Sequence, residues 1–209
     1  MNNLHDHVYS EVVLRFVNFG KDYTDLLSVP LPEERRDFIS RLLEIMPAMY
    51  SAIMEIPVTS PVFEEGNEKF VSEEEWSGVY QKMAALLGSQ NEYVDIPEED
   101  EYDRLEVISR DLSEDLSDIY QDIKDFLELY RNGNEEIMND ALWECRMNCE
   151  RYWGEKALRA SRILHKIYVR DPDELEQMDR EWKKKYSTKQ IKTDEWFISR
   201  RQKDYGENE

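Results

Sequence analysis

The chain has 209 residues and a formal net charge of −20, with 40% hydrophobic and 35% charged residues but only seven Gly and seven Pro. Five Trp, twelve Tyr and seven Phe exclude a chain too apolar-poor to fold, and the scarcity of turn residues argues for long charged helices over a sheet protein. Like-charge repulsion argues against nucleic acid or an anionic membrane as a direct partner of the acidic body, and no run nears the roughly 20 apolar residues of a membrane helix.

A first helix is predicted from about His7 to Leu27, where Val8, Val12, Phe16, Phe19, Tyr23 and Leu26 recur at three- and four-residue steps. Pro30-Leu31-Pro32 interrupts it, and Glu33-Glu34 opens a second helix with the seam Phe38, Leu42, Ile45, Met49 and Ile53. Pro47 is expected to kink or restart that helix, because proline removes a donor and crowds the carbonyl one turn back. Residues 57–71 read as a loop. Ser72 with Glu75 three residues on forms a capping box for a third helix, whose inner side is Trp76, Val79, Tyr80, Met83 and Leu87 and whose stop is Gly88. An acidic connector from Ser89 to Asp103 is centred on Pro97-Glu98-Glu99-Asp100-Glu101.

The fourth helix carries Leu105, Ile108, Leu112, Leu116, Ile119, Ile123, Phe126 and Tyr130 on a single face. A short Asn132-Gly133-Asn134 turn leads to a fifth, from about Glu135 to Tyr168, with Met138, Leu142, Cys145, Cys149, Tyr152, Ala160, Ile163 and Ile167 inward. The fold expected is an all-α bundle of about five main helices with a long antiparallel hairpin (about 104–131 and 135–168). Cys145 and Cys149, four apart on the inner face, read as core thiols of a reducing cytoplasm, and the N-terminus lacks the pattern of a secretory signal.

Charge separates two regions. Residues 1–169 hold 17 Lys/Arg against 36 Asp/Glu, and residues 170–209 hold 10 against 11, so an acidic helical domain is expected to be followed by a C-terminal helical extension with basic clusters. The extension interleaves Lys183-Lys184-Lys185, Arg200 and Arg201 with Trp182, Trp196 and Phe197. Those three aromatic residues are the expected docking points of the tail, on its own body or on a second subunit.

The run from Asp111 to Phe126 resembles the central helix of an uncharacterised bacterial family catalogued only as a domain of unknown function. Met138-Asn139-Asp140-Ala141-Leu142, Glu144-Cys145, Tyr152-Trp153-Gly154-Glu155-Lys156 and Leu164-His165 carry the likeness onward, and Phe70 to Glu75 and Leu42 to Tyr50 carry it backward, so that it covers about residues 8–168. The resemblance implies an all-helical bundle and brings no established activity with it.

Asp111, Asp115, Asp118, Asp122 and Asp125 follow one another at steps of four, three, four and three, which places them on one helical stripe expected to face outward as an interaction surface. Glu136, Asp140 and Glu144 repeat the device on the facing helix. Asp115, Asp118, Asp122, Asp140 and Glu144 are therefore the candidate ligands for Mg²⁺ or Mn²⁺, hard cations that take carboxylate oxygens. Two acidic helices loosely resemble the all-α nucleoside triphosphate pyrophosphatases, although Asp111-x-x-Glu114 and Asp122-x-x-Asp125 only approximate that family's paired acidic motifs. Lys156 falls within the inner seam and needs an anionic partner, either an acid of the fourth helix or Asp140. The leading functional expectation is a cytoplasmic acidic adaptor that binds a basic protein partner or self-associates, without turnover or cofactor. The alternatives are a divalent-metal-dependent nucleotide hydrolase built on the same acids and a structural subunit of a larger assembly.

Overall fold

The computed structural model describes residues 4–30, 34–64, 66–95 and 108–186. It is predominantly α-helical. A short helix α1 (Leu4–Val8) precedes α2 (Glu11–Ser28), α3 (Arg35–Glu55) and α4 (Glu73–Leu87). Strands β1 (Glu92–Asp95) and β2 (Ile108–Asp111) pair antiparallel, with Tyr93 opposite Arg110. Then come α5 (Leu112–Tyr130), α6 (Glu135–Asn148), a π-turn (Cys149–Trp153), α7 (Gly154–Tyr168) and α8 (Pro172–Tyr186). The chain divides into compact units Met1–Arg170 and Asp171–Glu209; the described part of the second ends with α8.

Several boundaries differ from the periodicity. The first predicted helix is two, because Ser10 takes an extended backbone (φ −62°, ψ 152°) and stands as the N-cap of α2. Pro47 does not restart α3, which runs unbroken from Arg35 to Glu55. Residues 108–111 are strand, so the fourth helix begins at Leu112, and Asp111 stands at its N-cap instead of on the helical stripe. Four-residue strands are too short for alternation to separate them from the phase of the adjoining helix. The centre of the acidic connector lies outside the described residues.

At Ser72 the expected cap is present: its Oγ accepts the Glu75 amide at 3.1 Å. Gly88, with φ 56°, closes α4 in a conformation that a side chain would disfavour. The core gathers around α5. Phe16 of α2 meets Phe126 with ring centroids 5.2 Å apart and stacks on Trp153 at 6.5 Å. Tyr23, fully buried, donates its hydroxyl to the Leu116 carbonyl at 2.8 Å, which removes the cost of burying an unpaired phenol.

The fifth predicted helix is interrupted by the π-turn, and this changes which aromatic residue is core. On an uninterrupted helix Tyr152 shares the face of Cys145 and Cys149. The widened turn puts Trp153 there instead, fully buried, and leaves Tyr152 61% exposed. Gly154 closes the turn by donating its amide to the Cys149 carbonyl, and a Cβ built at this position would sit 2.3 Å from that carbonyl oxygen.

Candidate functional site

The two acidic rows predicted on the hairpin do lie along α5 and α6, but they do not face outward together. Asp111, Asp115, Asp125 and Asp140 are buried, and Asp118 and Asp122 are only partly exposed. The periodicity placed Asp115, Asp118, Asp122 and Asp125 on one side of α5. It carried no information on what would cover that side, which is α4, β1, α7 and the segment 57–71, called the strap below.

Each aspartate of the first row has a donor of the protein's own. Asp111 accepts the Tyr80 hydroxyl at 3.3 Å, and Asp115 accepts a short hydrogen bond from the Tyr93 hydroxyl and lies 3.5 Å from Arg159. Asp118 accepts the Trp76 indole N–H at 2.9 Å through Oδ1 and pairs with Lys156 through Oδ2. Asp122 accepts the Asn148 amide at 2.9 Å. The pairs Asp122 with Asn148, Asp118 with Lys156 and Asp115 with Arg159 run in opposite chain directions, as an antiparallel hairpin requires.

Lys156 thus pairs with an acid of the fourth predicted helix and not with Asp140. Burial works against its charge, but Asp118, aided by Asp115 and Glu114, outweighs that and holds the ammonium above the ordinary lysine range. Asp115 shows the reverse balance: burial raises its pKa although Tyr93 and Arg159 pull downward. Burial also lifts Asp122, to about 6, against the Asn148 hydrogen bond and the Lys69 charge. Burial pushes the Cys145 and Cys149 thiols upward, Cys149 to about 12, so both favour the unreactive protonated form.

Asp125, Asp140 and Glu144 hold the strap, whereas Glu136 is exposed at the start of α6. Asp140 accepts the backbone amides of Val62 at 2.7 Å and Phe63 at 2.8 Å, one on each oxygen, and Asn139 donates to the Ser60 carbonyl at 2.9 Å. Asp125 accepts the amides of Phe70 and Val71. Glu144 takes Asn67 at 2.6 Å and Lys69 at 2.9 Å, and Lys69 also stands 4.0 Å from Asp125, which ties the two clamps together. Sequence reading did not identify the strap as a structural partner of the acids. Its polar, proline-containing composition marks a loop, and nothing local signals that its amides need distant acceptors.

Of the proposed metal ligands Asp115, Asp118, Asp122, Asp140 and Glu144, the first three and the last two attend to different neighbours. Among the described residues no three His, Cys, Asp or Glu side chains converge in a way that could hold an ion. Trp182 lies on α8, half-buried, whereas Trp196 and Phe197 lie outside the described residues. No helix among the described residues is long and apolar enough to cross a membrane.

Comparison with known proteins agrees with this architecture. A crystal structure of protein BF1032 from Bacteroides fragilis is similar, with a TM-score of 0.67 and 29% sequence identity over 79% of this chain and 98% of that one. None of the curated proteins matches the chain. The domain of unknown function DUF5063 matches residues 7–170, nearly the whole first compact unit, and the chain belongs to that family.

Proposed function

We propose that the chain is a cytoplasmic binding module for a basic protein partner, and that seven carboxylates of its hairpin are scaffold and not the recognition surface. The observation that carries this reading is that Asp111, Asp115, Asp118, Asp122, Asp125, Asp140 and Glu144 each accept a hydrogen bond from the protein itself. A buried carboxylate satisfied by fixed donors rigidifies the fold and has little left to offer a visitor. The charge presented to a partner then comes from exposed glutamates, among them Glu64 and Glu68 on the strap and Glu74 at the start of α4.

Long-range attraction by such a surface weakens as salt screens it. The test is cross-linking in lysate at rising ionic strength, with partners identified by mass spectrometry. A basic protein captured at low salt, released at high salt and lost from the Glu68→Gln/Glu74→Gln variant is the expected result. Capture that ignores both salt and these substitutions overturns the reading.

A further inference from the structure

Exposed apolar side chains on a loop are ordinary when the loop is loose and scattered. The strap is neither. Val62, Phe63 and Phe70 are 46, 47 and 43% exposed, and the backbone amides of all three are gripped by Asp140 or Asp125. Between the grips, Asn67 and Lys69 are both bound to Glu144. Three acids of α5 and α6 thus fix the backbone of a segment whose large apolar side chains remain in water. Fixing the backbone in advance removes part of the ordering cost that a loop pays on association.

Charge selects the occupant. Glu64 and Glu68 are exposed between the two phenylalanines, and Glu74 is exposed just beyond Val71. Two copies meeting through this face would oppose like charges, whereas a segment bearing Lys or Arg beside apolar side chains complements both features at once. We propose that the strap is a docking site for a partner segment in which apolar anchors are flanked by lysine or arginine, with Phe63 and Phe70 as the contacts that separate it from a merely cationic one. This rests on the reading of the chain as a basic-partner module and adds where and how that partner is recognised.

The test uses the full chain and two labelled peptides of equal length, one alternating lysine and phenylalanine, the other lysine alone, in fluorescence anisotropy at low salt. The lysine–phenylalanine peptide should bind about tenfold more tightly, and Phe63→Ser/Phe70→Ser should erase that preference while leaving all-lysine binding unchanged. Both side chains are exposed, so an unaltered thermal unfolding curve should confirm that the variant folds. A preference that survives the double substitution overturns the proposal. So does sedimentation showing that the chain self-associates and that the variant does not, because the occupant is then a second copy. Equal binding of the two peptides overturns the strap proposal and leaves the acidic-module reading standing; no binding of either removes both.

Discussion

Asp125 uses a single carboxylate oxygen, Oδ1, to accept the backbone amide of Phe70 at 2.7 Å, and the same oxygen takes the next amide, Val71, at 2.9 Å. The acid is 3% exposed, so its burial is tolerable only because these donors replace water. Asp125→Ala leaves two backbone N–H groups without an acceptor and should lower stability by about 2 to 5 kcal/mol in urea unfolding. Asp125→Asn keeps an acceptor oxygen and should cost about half as much. Hydrogen exchange should quicken at Phe70 and Val71 in the Ala variant, and protection equal to wild type would show that the clamp does not hold the strap.

Lys156 and Asp118 form an ion pair between α7 and α5 that is neither fully buried nor free, with side-chain exposures of 26 and 30%. Solvent screening therefore discounts the large penalties known for deep pairs. Lys156→Met should cost roughly 1 to 2 kcal/mol, and a double-mutant cycle with Asp118→Asn should return a coupling of about 1 kcal/mol. Asp118 also holds the Trp76 indole, so Asp118→Ala should be worse than Lys156→Met. Additive single effects would mean that the pair contributes no coupling.

Much of the bundle was legible because its helices are long and their apolar positions regular. Leu112, Leu116, Ile119, Ile123 and Phe126 are buried as their spacing predicts, and the need of Lys156 for an anionic partner follows from its place in the seam. The seam leaves open whether that partner is an acid of α5 or Asp140, and the structure pairs Lys156 with Asp118. Three things were not legible, each for a physical reason. Charge pattern places the α5 aspartates on one side but cannot say which distant segment will cover them, so a buried clamp reads like a solvated edge. Strands of four residues continue the phase of the helix that follows. A single inserted residue in a π-turn leaves composition unchanged while exchanging Tyr152 for Trp153 on the core face.

That inserted residue makes Gly154→Ala an informative substitution. In an ordinary helix interior alanine stabilises relative to glycine by up to about 1 kcal/mol. Here the added Cβ would lie 2.3 Å from the Cys149 carbonyl oxygen and 3.0 Å from the Cys149 Sγ, and backbone cannot yield as a flexible side chain can. The sign should reverse, with a loss of about 1 to 3 kcal/mol, the usual range for overpacking. A higher melting temperature for Gly154→Ala would indicate that the helix closes over this point without its widened turn.

Asp122 should make stability depend on pH in a direction opposite to that of most paired carboxylates. Burial raises its folded-state pKa to about 6, Asp118 and Asp125 on the same helix add to the rise, and Asn148 and Lys69 only partly offset it. The folded protein therefore binds this proton more tightly than the unfolded chain does, whose ordinary value is about 3.8. The resulting stabilisation is complete below that unfolded value and is lost as pH rises through about 6, so above neutrality the ionised acid is a burden. Asp122→Asn cannot ionise and retains an acceptor for Asn148. Its stability relative to wild type should therefore increase from pH 4 to pH 7.5 by roughly 2 to 3 kcal/mol, the equivalent of a displacement of about two pKa units. Urea unfolding of both proteins across this range measures the difference directly, with groups common to the two cancelling. A difference that stays flat, or that shrinks as pH rises, would mean that Asp122 is solvated or paired well enough to keep an ordinary carboxylate pKa.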